Sequence, residues 1–155
     1  MQAQAWTRKG GTFQMKAEGR RPWITVYDPQ GFTDPWINPY LTFLAWQGAT
    51  PAQIRRQARY LVAASLWLDV WDAAWATHSL GDWGMYYRLE GSGASSRMLH
   101  SHLETLYHFY GFWHWYEPRK MAVQPFPATH RERNAWLDRL RVDDDAEGLP
   151  TSLPW

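Results

Sequence analysis

The chain has 155 residues, 16 Lys and Arg against 15 Asp and Glu, and no cysteine, with 12 Trp, 8 Tyr and 6 Phe. The absence of cysteine excludes a disulfide scaffold, a thiolate metal site, an iron–sulfur cluster and a cysteine nucleophile. A net charge of +1 is too small for a protein whose main task is to coat phosphate backbones.

The length fits one globular domain, expected over residues 1–142, with 143–155 as an acidic, loosely ordered tail. No apolar run approaches the ~20 residues that span a bilayer. The first residues, MQAQAWTRKGG, lack the apolar core of a signal peptide, so a cytoplasmic protein with no membrane contact is expected. Arginine dominates the basic residues, and with the missing cysteine this leans towards a bacterial composition.

Along the first 28 residues, Gly10-Gly11 and Gly19 punctuate TRKGGTFQMKA and RRPWITVYD, where Trp23, Thr25 and Tyr27 alternate with Ile24 and Val26. This pattern predicts a β-hairpin. Pro29, Gly31, Pro35 and Pro39 then mark a loop, and Asn38-Pro39 is a cap-and-first-residue pair for a short helix, YLTFLAWQ, stopped at Gly48. Thr50-Pro51-Ala52-Gln53 is a capping box and starts a long helix expected to run to Thr77 or His78.

Gly81, Gly84, Gly91 and Gly93 break the pattern between Leu80 and Ser96, around MYYRLE, which reads as a short strand or a tethered loop. A second long helix, capped by Ser95 or Ser96, runs until Pro118. On its wheel Leu99, Leu103, Leu106, Phe109, Tyr110 and Trp113 share one face, which must be the core side, with His102 among them. Thr129-His130-Arg131-Glu132 caps a final amphipathic helix carrying Trp136, Leu137 and Leu140. The expected fold is α+β, mainly α: two long antiparallel helices, shorter helices and a small N-terminal hairpin.

Three constellations bear on function. His100, Glu104 and His108 lie one turn apart on the outer face of the second long helix, continuing into Gly111 and Trp115, and offer two nitrogens and an oxygen to a divalent metal such as zinc. Asp69 and Asp72 follow Ile54, Ala58, Leu61 and Ser65 on one stripe of the first long helix, where buried carboxylates require partners. Antiparallel pairing of the long helices would bring Asp72 level with His102, as a register-fixing pair or as an acid/base couple. Third, Arg8, Arg20, Arg21, Trp23, Trp83 and Arg88 offer stacking and bidentate contacts for recognition.

No nucleophile elbow, Walker loop or dinucleotide fingerprint is present. The expected function is therefore non-enzymatic recognition of a protein partner, extending to nucleic acid, by a cofactor-free protein that is also a candidate homo-oligomer. The alternative is a small metal-assisted or acid/base hydrolase with its site between the two long helices.

Overall fold

A computed structural model of the chain describes residues 4–8, 11–17, 24–28, 30–91 and 93–147, with side chains from residue 24 to 141 within those ranges. The chain divides into two compact units, Met1–Ala73 and Ala74–Trp155. It is mostly helical, with a small sheet in the first unit.

In the first unit β1 (Gln4–Arg8), β2 (Gly11–Ala17) and β3 (Ile24–Tyr27) pair antiparallel in that order, with Trp6 opposite Phe13 and Met15 opposite Val26. Ile24 and Val26 point inward, as the two-residue period of a strand requires. The outer edge of β3 is closed by a side chain acting as a peptide group. The Val26 N–H donates to Asn38 Oδ1 (2.7 Å), and Asn38 Nδ2 donates back to the Val26 carbonyl (2.8 Å).

Asn38 is thereby taken from the capping role its sequence position suggests. Asp34 caps α1 (Ile37–Trp46) instead, its Oδ1 accepting from the amides of Trp36 (2.9 Å) and Ile37 (2.7 Å). The helix ends in a Schellman motif with Gly48 at φ 87°: the Gly48 amide donates to the Ala45 carbonyl and the Ala49 amide to that of Leu44.

Helix α2 (Pro51–Val70) starts at the expected capping box, with the Gln53 amide donating to Thr50 Oγ1 (3.1 Å) and the Thr50 amide to Gln53 Oε1 (2.9 Å). Ile54, Ala58, Leu61, Val62 and Leu68 are buried, on the face that α1 and the sheet pack against. The helix stops at Val70, short of the expected end at Thr77 or His78. A second Schellman motif ends it: the Asp72 amide donates to the Asp69 carbonyl, the Ala73 amide to that of Leu68, and Asp72 takes the left-handed position at φ 50°. Asp replaces the glycine that would have announced this stop.

The second unit opens with a 3₁₀ turn, Trp75–Thr77, and then α3 (Leu80–Leu89), where the sequence reading placed a strand or loop. Ser79 and Asp82 cap α3 reciprocally, with the Asp82 amide donating to Ser79 Oγ (3.2 Å) and the Ser79 amide to Asp82 Oδ2 (2.9 Å). Gly81 and Gly84 lie within the helix without breaking it, and Gly91 follows its end. A Cβ on Gly84 would stand 3.4 Å from Leu140 and 3.5 Å from Trp136, and one on Gly91 would stand 2.3 Å from the Tyr87 carbonyl oxygen.

Helix α4 (Ser96–Tyr116) is capped by Ser95, whose Oγ accepts from the Met98 amide (3.1 Å). Thr129 likewise caps α5 (His130–Glu147), accepting from the Glu132 amide (3.1 Å). The helix continues past Val142, where the sequence reading began an irregular tail. Both α3 and α4 pack on α5. Leu99, Leu103, Leu106, Phe109, Tyr110 and Trp113 are buried, as the wheel required, and join Trp75, Trp83, Tyr86, Tyr87, Phe126 and Trp136 in an aromatic core. Among the described residues no helix is long and apolar enough to cross a membrane.

Candidate interaction surface

The aromatic core carries polar groups, and each must be satisfied where water cannot reach. Trp83 is fully buried; its indole N–H donates to Tyr110 Oη (3.1 Å), and the Tyr110 hydroxyl donates to the Trp75 carbonyl. The surface role expected of Trp83 is thus replaced by a place at the centre of the unit.

His102 is buried between Tyr86 and Tyr87, with Nε2 3.0 Å from the Tyr86 hydroxyl and Nδ1 2.9 Å from that of Tyr87. A neutral imidazole donates from one nitrogen and accepts at the other, so the two tyrosines take opposite roles. Burial raises both phenols well above their usual pKa, which keeps them protonated.

The expected Asp72–His102 contact loses its basis here. It required α2 to reach residue 78 and residues 80–96 to act only as a connection, whereas α2 ends at Val70 and α3 occupies Leu80–Leu89. Asp72 is exposed beyond the helix end, and Asp69 is half-buried on α2.

The proposed metal trio is dispersed among other partners. His100 Nε2 lies 3.3 Å from Asp138 Oδ1 on α5, and His100 Nδ1 3.3 Å from Ser96 Oγ. Glu104 takes Arg133 Nε (2.9 Å) and Nη2 (2.8 Å) on one oxygen and His130 Nδ1 on the other. Arg133 is itself buried, donates to the Pro127 carbonyl (2.9 Å), and lies 3.6 Å from the Tyr107 ring centre. This is a clamp between α4 and α5. Desolvation holds the His108 imidazole below its usual pKa. Among the described residues no three His, Asp or Glu side chains gather to hold a metal.

The Glu104–His130 pair resembles an oriented base, since His130 is exposed and its Nδ1 faces a carboxylate. Its Nε2, however, accepts from the Asn134 amide (3.0 Å), which occupies the lone pair that such a base would use.

Of the basic recognition residues, Arg20, Arg21 and Trp23 lie outside the described residues, as does the side chain of Arg8 in β1, while Arg88 is half-buried on α3. A different surface emerges at the C-terminal end of α4. Trp115 is 70 % exposed, Tyr116 57 % and Val123 65 %. These rings are held in place. Tyr116 stacks on buried Phe112 at 5.3 Å and 20°, and Trp115 lies 6.3 Å from Phe112 and 6.4 Å from Tyr116.

The following turn is tied down as well. His114 Nδ1 donates to the Met121 carbonyl (2.9 Å), and the Lys120 amide to that of Glu117 (2.9 Å). The Lys120 ammonium stands 5.7 Å from the Trp113 ring centre, beside exposed Arg119. The result is an exposed aromatic ridge of Trp115 and Tyr116 resting on Phe112, with two cations, Arg119 and Lys120, in the turn that follows. The sequence contained a signal for it: Trp115 sits on the outer stripe of α4, opposite the Leu99–Trp113 face, just before Pro118 ends the helix.

Comparison with protein-family models, with curated proteins and with solved structures gives no match to this chain.

Proposed function

We propose that this protein acts by recognition rather than by chemistry, binding a protein partner through the ridge formed by Trp115 and Tyr116, with Arg119 and Lys120 in the turn that follows. One observation carries the reading: Trp115 and Tyr116 are both more than half exposed, yet anchored on buried Phe112. Isolated exposed apolar residues need no explanation, but clustered large rings do. Ordered aromatic side chains bordered by basic groups are the usual makings of an interface hot spot, because little side-chain entropy is lost on binding. Nucleic acid is a weaker fit, since the net charge is only +1.

The hydrolase alternative has less support, because Glu104 and His130 already serve the α4–α5 clamp and Asn134 covers the free imidazole nitrogen.

The test is site-specific photo-crosslinking in cells that make the protein, with p-benzoylphenylalanine at Trp115 and, as a control, at exposed Arg131. The expected result is a discrete adduct from Trp115 alone, sensitive to protease and resistant to nuclease. Identical patterns at both positions, or a nuclease-sensitive adduct, would overturn the reading.

A further inference from the structure

The ridge on α4 has a chemically matched counterpart in the same sequence. Asp143, Asp144, Asp145 and Glu147 are followed by Gly-Leu-Pro-Thr-Ser-Leu-Pro-Trp, so four acids precede two Leu-Pro pairs and Trp155. Acids complement Arg119 and Lys120, while proline and tryptophan rings are what exposed Trp and Tyr side chains take in aromatic-lined recognition sites. We propose that the ridge of one molecule binds residues 143–155 of a second copy, so that copies associate head to tail. This rests on the recognition reading above and names the partner.

The geometry rules out the same contact within one molecule. Between α4 and α5, Tyr107 and Glu104 meet Arg133 and His130, while His100 meets Asp138, so the two helices run in opposite directions. Trp115 lies fifteen residues beyond His100 on α4, ~22 Å along the axis at ~1.5 Å per residue. Glu147 lies nine residues beyond Asp138 on α5, ~13 Å the other way.

The eight residues after Glu147 span at most ~29 Å when fully extended. That is too short to return to their own Trp115 with length left to lie against it. A second molecule has no such restriction, and near-neutral copies do not repel one another. The contact joins two different surfaces, so it propagates unless the rotation closes a ring.

Sedimentation velocity of the full chain over a wide concentration range tests this directly. The expected result is concentration-dependent association, weakened at least about tenfold by Trp115→Ala and by Trp155→Ala, and reduced by salt and by the double change Arg119→Glu with Lys120→Glu. All of these side chains except Trp155 are known to be exposed, and circular dichroism checks that each variant keeps its helices. A labelled peptide of residues 143–155 should bind the full chain saturably and lose that binding with Trp115→Ala.

A chain that stays monomeric throughout, or association indifferent to Trp115 and Trp155, overturns the proposal. A Trp115 photoadduct containing only another protein, together with a monomeric chain, overturns this inference and leaves the recognition reading standing. The absence of any specific photoadduct overturns both.

Discussion

Two tyrosines and one histidine illustrate how a polar group is admitted to an aromatic core. His102 reaches a tyrosine hydroxyl with each ring nitrogen, at 3.0 and 2.9 Å, so neither nitrogen is buried unsatisfied. Removing the imidazole strands both hydroxyls where water cannot replace it, and a stranded buried polar group costs about 1–3 kcal/mol. His102→Ala should therefore lower stability by roughly 3–5 kcal/mol once the cavity is included. Tyr87→Phe should cost about 1–3 kcal/mol, and the double variant less than the two losses together, with a coupling of at least ~0.5 kcal/mol. Urea denaturation of the four proteins measures the cycle; additive losses would show that the hydrogen bond contributes nothing of its own.

At the scale of elements, what could be read in the sequence was local chemistry with an unmistakable residue. Thr50 with Gln53, Ser95, and Thr129 with Glu132 mark three helix starts, because each supplies an oxygen for an amide that the helix cannot satisfy itself. The face of α4 bearing Leu99, Leu106 and Trp113 was legible for a similar reason, since 3.6-residue spacing projects those positions in one direction.

What escaped depended on tertiary context. Asp72 ends α2 in a conformation usually signalled by glycine, and Gly84 sits inside α3, facing Leu140 and Trp136. Asn38 looked like a helix cap but is claimed by the edge of β3. Trp83, expected at a surface, is buried for the same reason: Trp83 and Trp115 are the same residue type, and only packing decides which is buried.

Gly111 separates context from propensity in α4. Its neighbour Gln124 donates to the Tyr107 carbonyl (2.9 Å), yet a Cβ on Gly111 would stand 3.7 Å from the Gln124 amide nitrogen, an ordinary contact. Nothing described at this position demands glycine, and glycine costs about 1 kcal/mol relative to alanine in a helix interior. Gly111→Ala should therefore raise stability by up to ~1 kcal/mol. A rise in thermal midpoint is the expected result; a fall would mean that the outer stripe of α4 tolerates no added methyl group.

For the whole molecule, chain length does not reveal where hydrogen bonds close. In the unit from Ala74 onward several join residues of that unit: Trp83 to Tyr110 to Trp75, His102 to Tyr86 and Tyr87, and Arg133 to Glu104 and Pro127. Leu103, Leu106, Phe109, Met121, Phe126, Trp136 and Leu137 of the same unit are buried. A segment with these buried apolar residues and internal hydrogen bonds, longer than the ~50 residues at which domains begin to stand alone, should fold by itself. Residues 74–155 expressed alone should accordingly give a helical far-ultraviolet spectrum, blue-shifted fluorescence from buried Trp75, Trp83 and Trp136, and one cooperative thermal transition shared by both signals. A broad melt, or two signals that fail to coincide, would instead make this core dependent on residues before Ala74. The aromatic ridge on α4 would then have to be studied only in the intact chain, because its rings are ordered by Phe112 in that core.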